Sequence, residues 1–219
     1  MSDAVAPSLI DTSDMVRVHR VFREAFGSAA PLVGSVPSGD LDRAELVAAY
    51  YFNVLEMLRG HHEGEDEIVW PRLVERAPDR AETIRRIAGQ HEGVHASLEE
   101  ALARLAEWRR EPDIDGGARL AATLATLGAE LALHLDEEER VILPIAARHM
   151  SAQEWAQLPM HGMQHFSGDR IWLVMGLIQE QMTPEQVAAM REHMPPPVVE
   201  FWDTTGRPQF EEFMAALRH

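Results

Sequence analysis

The chain contains two copies of a short motif whose residue types are those of a metal site. In each copy a histidine is followed four residues later by a glutamate, and six residues after that by a proline. The two copies are His61, Glu65 and Pro71, and His134, Glu138 and Pro144. Imidazole nitrogens and carboxylate oxygens both bind metals, and residues four apart share one face of a helix. The repeat therefore indicates two helices that each present a pair of metal ligands.

The apolar pattern places both pairs on the buried side of their helices. Around each motif the apolar positions recur at steps of three and four, which is typical of a helix packed in a bundle. The first stripe is Val47, Tyr51, Val54, Leu58, His61, Glu65 and Ile68; the second is Leu120, Leu124, Leu127, Leu131, His134, Glu138, Val141 and Ile145. This pattern selects His61 over His62, which lies about 100° further around the helix.

Two other predicted helices also carry inward-facing histidines. His19 falls in a short stripe with Met15, Phe22 and Phe26, and His91 lies in a long stripe that continues to Trp108. We expect His95 to reach the interior as well, because it is one turn after His91 and only about 40° around the helix. The remaining histidines that we interpret as non-ligands are His62, His149, His193 and His219.

A metal site is favoured over a purely structural set of buried histidines. A lone histidine on an apolar face is most often a packing residue, and an exposed histidine–glutamate pair is usually a solvated contact. Two buried carboxylates, Glu65 and Glu138, would however be costly without partners and would repel each other. Bound cations remove both penalties. Asp66, Glu130 and Asp136 are weaker candidates for hydrogen-bond acceptors around the ligands.

Glycine and proline clusters divide the first 150 residues into four long helices. We predict helices over residues 12–26, 40–76, 78–110 and 118–149, with a loop at 27–39 and a break at EPDIDGG. His91 precedes the end of its helix by nineteen residues, and His134 follows Asp115 by the same number. In an antiparallel hairpin, equal counts bring two residues to the same height. The sequence therefore predicts an all-α fold, an antiparallel four-helix bundle with converging histidines.

The chain after Met150 has a different character and is predicted to be a helical extension. Ser151 with Glu154 forms a capping-box pattern, and Thr183 with Pro184 is typical of another helix start. We divide the chain into a bundle over residues 1–150 and an extension over 151–219 that packs on it. His161 and His165 could form an auxiliary metal site or part of a lid, but a surface or packing pair is favoured.

Composition limits the classes of function. The formal net charge of −16 over 219 residues disfavours binding to nucleic acid or to an anionic membrane surface. The absence of cysteine excludes disulfides, thiolate catalysis and cysteine-ligated clusters. We see neither a signal peptide nor an apolar run that would span a membrane, and we therefore expect a cytoplasmic protein.

The motif residues resemble those of the hemerythrin family, specifically the HHE cation-binding domains. The resemblance covers residues 14–150 and rests on four segments: VHRVFR, HHEGEDEIVWP, GQHEGVH and HLDEEERVILP. It implies an up-down-up-down bundle that holds two iron ions as a non-haem centre with an oxo or hydroxo bridge. By this resemblance, the terminal ligands are His19, His61, His91 and His134, and the bridging carboxylates are Glu65 and Glu138. His95 matches a second histidine that oxygen-carrying hemerythrins use on the third helix.

A ferritin-like di-iron site is the nearest competitor. Such a site needs two Glu-x-x-His motifs and two further glutamates on the helices of a bundle. Only Glu92 and His95 have that spacing, and Glu92 falls outside the buried stripe. The histidine-rich hemerythrin pattern therefore fits better.

The number of ligands bears on the expected chemistry. Two six-coordinate irons offer about twelve positions; five histidines, two bridging carboxylates and one bridging oxygen leave one position open. Without His95 two positions are open. We expect a protein that binds or processes a small oxidant such as dioxygen, nitric oxide or peroxide. The alternative is an iron- or oxygen-responsive sensor without turnover, and the sequence leaves open whether the chain is an enzyme.

Overall fold

The computed structural model describes residues 9–164 and 166–219, and His165 of the predicted His161–His165 pair lies outside them. All regular secondary structure in this part of the chain is helical. The α-helices are α1 (Ser13–Gly27), α2 (Ala29–Gly34), α3 (Leu41–Gly64), α4 (Trp70–Arg76), α5 (Ala81–Ala88), α6 (His91–Arg110), α7 (Ile114–Glu137), α8 (Leu143–His149), α9 (Ala152–Trp155), α10 (Gln157–Gln164), α11 (Ile171–Glu180), α12 (Pro184–His193), α13 (Pro196–Phe201) and α14 (Arg207–Arg218). No helix among the described residues is long and apolar enough to cross a membrane.

The long helices α1, α3, α6 and α7 surround a common core. Helix α6 contacts α3 and α7, and α1 contacts α7 and α3. The stripes predicted from the sequence form this core: Leu58 and Leu127 are fully buried, and Leu98 is 1% exposed. The all-helical prediction is confirmed, because the apolar periodicity of each long helix matches a surface that the neighbouring helices cover.

The boundaries differ from the prediction in three places. The segment 27–39, predicted as a loop, contains α2, which packs on α7 and buries Ala29 and Val33. Helix α7 begins at Ile114 instead of near residue 118, because the side chain of Asp113 accepts a hydrogen bond from the amide of Gly116 and caps the helix. The predicted third helix is divided between α5 and α6.

Three π-helical turns interrupt the helices, and each ends two residues before a proline. The turns are Glu65–Val69, Glu138–Ile142 and Trp202–Gly206, followed by Pro71, Pro144 and Pro208. Proline lacks an amide hydrogen and its ring displaces the carbonyl four residues back. The preceding amide then donates to the carbonyl five residues back, as from Trp70 to Glu65. The turns before Pro71 and Pro144 each begin at a motif glutamate, and π turns often occur at functional sites.

Helices of the extension cover the outer side of α3. Helices α10, α11 and α14 all contact α3, and α11 also contacts α1. The aromatic residues Trp202, Phe210 and Phe213 are buried in this contact region at 4–8% exposure. The predicted capping box of Ser151 and Glu154 forms, and the helix start predicted at Thr183 and Pro184 is also present, where Thr183 forms a further capping box with Gln186. As a result α3 is buried on two sides, towards the core and towards the extension.

Two hydrogen bonds of the Asn53 side chain connect the segment before α11 to α3. Its side-chain oxygen accepts a hydrogen bond from the backbone amide of Arg170 at 2.9 Å, and its side-chain nitrogen donates to Asp169 at 2.9 Å. Gly168 makes the approach possible, because a Cβ atom there would lie 2.6 Å from the Asn53 oxygen. The extension thus has a polar anchor in the middle of the helix that carries the first motif.

Candidate metal centre

Seven side chains from the four long helices and their π turns meet in the core. They form two groups, in each of which one ligand atom from every residue lies within 4.8 Å of the others. The first group is His62, Glu65, His91 and His134, and the second group is His19, His61, Glu65 and Glu138. The two groups share Glu65.

The position of Glu65 on α3 explains why it belongs to both groups. On a helix, His61 and His62 point about 100° apart, and Glu65 projects between them, about 40° from one and 60° from the other. One Glu65 oxygen lies 3.3 Å from His61 Nε2, and the other lies 3.3 Å from His91 Nε2. Each oxygen therefore faces a different group, which is the arrangement of a bridging carboxylate.

Glu138 also reaches histidines of both groups. Its Oε2 atom lies 3.5 Å from His19 Nε2 and 3.8 Å from His134 Nε2. Because Glu65 and Glu138 are both fully buried, the core contains two carboxylates that face a common set of imidazoles.

Seven of the buried nitrogen and oxygen atoms of this cluster have no hydrogen-bond partner among the described residues. Among the described residues, no hydrogen-bond partner is found for the Nε2 atoms of His19, His61 and His62 or for the four carboxylate oxygens of Glu65 and Glu138. Buried polar atoms in folded proteins nearly always have partners. Imidazole nitrogens and carboxylate oxygens are metal ligands, and cations in the two groups would satisfy all of these atoms at once. The residues present therefore fit a pair of cations.

Three of the histidines are oriented by hydrogen bonds from their outer nitrogen. His19 Nδ1 lies 2.9 Å from a Glu139 oxygen, and His91 Nδ1 lies 2.9 Å from an Asp66 oxygen. His134 Nδ1 lies 2.9 Å from the Gln90 side-chain oxygen. Each partner is an acceptor, so Nδ1 carries the hydrogen in each pair. In the neutral form of each ring, a hydrogen on Nδ1 leaves the Nε2 lone pair directed into the cluster, which is the arrangement that metal ligation requires.

Two arginines hold these acceptors in place. Arg23 binds Glu139 at 2.7 Å and Asp136 at 2.7 Å. On the other side, Glu137 accepts from Gln90 at 2.9 Å and pairs with Arg86. Of the weaker candidates from the sequence, Asp66 bonds a cluster histidine directly and Asp136 acts through Arg23. Glu130 instead accepts from Ser97 at 2.6 Å.

The electrostatic environment keeps most of the imidazoles neutral. Burial and the neighbouring histidines hold the pKa values of His61 and His62 well below the ordinary value and lower that of His134 to about 3. Burial also disfavours the charged form of His91, but its hydrogen bond with Asp66 and the charge of Glu65 outweigh burial and raise its pKa to about 9. Neutral imidazoles are the form that binds metals.

Glu138 shows the opposite effect. Burial, and next the charge of Glu65, raise the pKa of Glu138 well above its ordinary value. By contrast, the hydrogen bond from His19 holds the pKa of Glu139 near 2, so this outer carboxylate stays charged. Without cations, ionisation of Glu138 is therefore unfavourable, whereas Glu139 stays negative.

The prediction for His95 is wrong: its side chain is 58% exposed and faces Glu99 at 3.9 Å. The buried residues of α6, which run from His91 through Val94 to Trp108, do not follow a straight line along the helix. Their positions shift gradually around the helix axis in one direction. His91 lies at the edge of this stripe, and His95 lies about 90° from its centre.

The expectation that His62 points away from the interior is also wrong. His62 is 7% exposed and belongs to the first group. The inner surface of α3 is wide enough to bury residues on both sides of Glu65. The adjacent pair His61–His62 was the sequence signal that could have identified His62, because the two side chains project on either side of Glu65. The other six residues of the cluster are those that the sequence predicted.

The geometry agrees with a comparison against known protein families. Residues 11–146 match the family model described as the hemerythrin HHE cation binding domain. The chain belongs to the hemerythrin family. The match contains every residue of the two groups and ends before the extension begins. No curated protein and no solved structure gives a significant match to this hemerythrin-family chain.

Proposed function

We propose that this hemerythrin-family chain binds two cations in its core, one in each group, with Glu65 and Glu138 bridging them. The observation that carries the proposal is the set of seven buried donor atoms without hydrogen-bond partners among the described residues. Five histidines supply terminal ligands: His62, His91 and His134 for the first ion, and His19 and His61 for the second. His62 thus takes the place in the ligand count that the sequence analysis gave to His95.

We further propose that the ions are iron and that the protein binds or processes a small oxidant such as dioxygen, nitric oxide or peroxide. The family resemblance and the imidazole-rich, cysteine-free ligand set support iron. A bound iron pair supplies redox chemistry towards small oxidants. The first group offers three histidines and the second only two, so an ion held by His19 and His61 would have one protein ligand fewer and would be the one able to bind an oxidant.

The protein's own residues restrict what can reach that position. The ring of Phe22, which is fully buried, lies 5.4 Å from the ring of His61. Leu58 and Leu131 add apolar walls that are at most 1% exposed. Such surroundings favour small uncharged molecules over water and ions. We also propose the up-down-up-down antiparallel topology, with a bundle over residues 1–150 and an extension over 151–219.

The experiment that tests the proposed function uses the full chain purified after growth with added iron. The reduced protein is mixed with dioxygen, nitric oxide or peroxide, and the visible absorption of the iron centre is followed. A saturable spectral change with at least one of them is expected. An iron-loaded protein whose spectrum does not respond to any of the three would contradict oxidant binding while leaving metal binding intact.

A second candidate function, a metal-responsive sensor without turnover, is favoured by one contact of the extension. His161 of α10 lies 3.1 Å from Glu67, within the π turn that begins at Glu65. A Cβ atom on Gly64 would lie 3.2 Å from the His161 ring, so α10 packs closely on the same turn. A change in the metal bound by Glu65 would therefore alter the packing of α10. Limited proteolysis with and without iron tests this candidate: equal cleavage rates within 151–219 would argue against it.

A further inference from the structure

A cavity lies between the extension and the bundle, at a distance from the metal centre. Its volume is about 480 Å³, and α1, α2, α3, α11 and α14 all contribute to its walls. This volume falls within the range of about 300–1,000 Å³ that is common for small-molecule sites. The floor is apolar and includes the buried side chains of Val21, Leu177 and Met214.

Tyr50 places a hydroxyl group without a partner in this cavity. The residue is only 6% exposed, and its hydroxyl makes no hydrogen bond to any of the described residues. The charged groups that act on it, Glu180, Arg218 and Glu24, all line the cavity. Burial raises its pKa, so the hydroxyl stays neutral and can both donate and accept. The hydroxyl faces the cavity and none of the described residues bonds it, so a polar group of a bound ligand can pair with it in place of water.

The other polar groups of the cavity are already paired. The hydroxyls of Ser28 and Ser35 donate to backbone carbonyls at 2.9 and 2.8 Å. Arg43 donates to two carbonyls near the end of α14, at 2.6 and 2.7 Å.

The charged side chains at the rim are paired in the same way. Arg218 binds both oxygens of Glu180 at 2.7 and 2.8 Å. Gln181 donates to Glu24 at 2.7 Å. Both arginines of the lining are thus already engaged, and Glu24 and Glu180 add negative charge, which disfavours an anion.

We propose that this cavity binds a small neutral aromatic or cyclic molecule that carries one hydrogen-bonding group, with Tyr50 as its polar anchor. The apolar floor accepts the body of the molecule, and the single unpaired hydroxyl accepts its polar group. Tyr50 precedes His61 by eleven residues, or about 16 Å along α3, so the ligand does not touch the metal centre. The site joins the extension to the bundle, and a bound molecule would hold the two together.

The test uses 2-naphthol as the probe and the full chain loaded with zinc, a diamagnetic ion. Binding is measured by isothermal titration calorimetry and located by methyl NMR. We expect saturable binding, with shifts at Val21, Leu177 and Met214 and none at Leu131 beside the metal centre. Naphthalene-2-sulfonate, which has the same ring system and a negative charge, should bind at least about 10-fold more weakly.

Two neighbouring tyrosines provide a matched pair of variants. Tyr50→Phe keeps the cavity wall and removes the hydroxyl, and it should weaken 2-naphthol binding by about 2- to 10-fold. Tyr51→Phe removes a hydroxyl that donates to the Ala25 carbonyl outside the cavity and should leave the affinity unchanged. The proposal is overturned by an absence of saturable binding, by shifts elsewhere, by equal binding of the sulfonate, or by equal effects of the two variants. If Tyr50→Phe does not fold, the NMR location and the sulfonate comparison still decide the result.

Discussion

The imidazole of His62 stacks on that of His91, with ring centroids 4.0 Å apart and planes 15° from parallel. Stacked imidazoles cannot both be charged without strong repulsion, and burial and the neighbouring histidines lower the pKa of His62. The pair therefore presents a neutral His62 ring next to His91 and within reach of Glu65. This contact assigns His62 a role in the proposed first ion site.

Replacement of His62 by alanine should therefore remove metal, whereas the same change at His95 should not. We expect His62→Ala to lower the affinity of the first group so that the chain retains closer to one ion than two. His95→Ala is the matched control, because His95 is an exposed histidine on the neighbouring helix. Metal content per chain, measured by inductively coupled plasma mass spectrometry, distinguishes the two. Equal metal loss in both variants would refute the assignment of His62.

Glu138→Gln should stabilise the metal-free protein while weakening metal binding. Glu138 and Glu65 are both fully buried, and their mutual repulsion destabilises the metal-free fold at neutral pH. A neutral amide should raise the free energy of unfolding of the metal-free chain by at least about 1 kcal/mol. In the presence of iron the order should reverse, because the wild type gains binding energy.

Chemical denaturation of both forms with and without iron provides the measurement. Glu63→Gln is the control, because Glu63 is an exposed glutamate of α3 and should change neither value. A Glu138→Gln variant that is less stable than the wild type without metal would contradict the repulsion argument.

Glu139→Gln should weaken the second ion site more than the first. Its carboxylate accepts from His19 at 2.9 Å and is held by Arg23, so it orients the ring and increases its basicity. Loss of such an outer partner typically costs about 10- to 100-fold in metal affinity. Metal competition titrations should show one weakened site. Glu130→Gln, which changes a glutamate bonded to Ser97 instead, should leave both affinities unchanged.

The contact between α4 and α9 should give a pH-dependent contribution to stability. Two hydrogen bonds from Arg76, at 2.6 and 2.8 Å, hold the pKa of Glu154 well below its ordinary value of 4.5. A carboxyl whose pKa is lower in the folded state stabilises the fold above pH 4.5, and this stabilisation is lost as the pH falls below that value. Glu154→Gln should therefore be less stable than the wild type at pH 7, with a difference that shrinks below pH 4.5.

Glutamine can still complete the capping box at this position, so Glu154→Gln tests the charge alone. Ser151→Ala is the comparison, because it removes the cap on the Glu154 amide and should still cost about 0.5–2 kcal/mol below pH 4.5, where the Glu154→Gln difference shrinks. Thermal unfolding between pH 3 and pH 8 measures both variants. A Glu154→Gln difference that does not depend on pH would contradict the ion-pair argument.

Much of the site could be predicted because a buried helix face repeats regularly in sequence. Spacings of three and four residues placed Glu65 and Glu138 in the same stripes as buried leucines, and His19 in the same stripe as the fully buried Phe22. These stripes also identified the helices that carry the cluster. The apolar periodicity of one helix is a local property of its sequence, so it can be recognised without knowing which helices pack against it.

The errors occurred where burial depends on neighbouring helices. His62 and His95 each lie beside a predicted stripe, and only the packing of the adjacent helices decides which of them is covered. The helix over Ala29–Gly34 forms in a segment with weak helical signals because α7 offers it an apolar surface. The prolines are visible in the sequence, but the π turns before them could not be predicted. The form of the helix there depends on which carbonyl the preceding amide reaches.

The number of metal ions bound by the full chain tests the central claim most directly. Native mass spectrometry after growth with added iron should show two ions on the wild type. His134→Ala and His19→Ala should each retain one ion, because each removes a histidine from a single group, whereas Glu65→Ala should retain none. A wild-type chain without metal even after reconstitution with ferrous iron, or a Glu65→Ala variant that still holds two ions, would contradict the account.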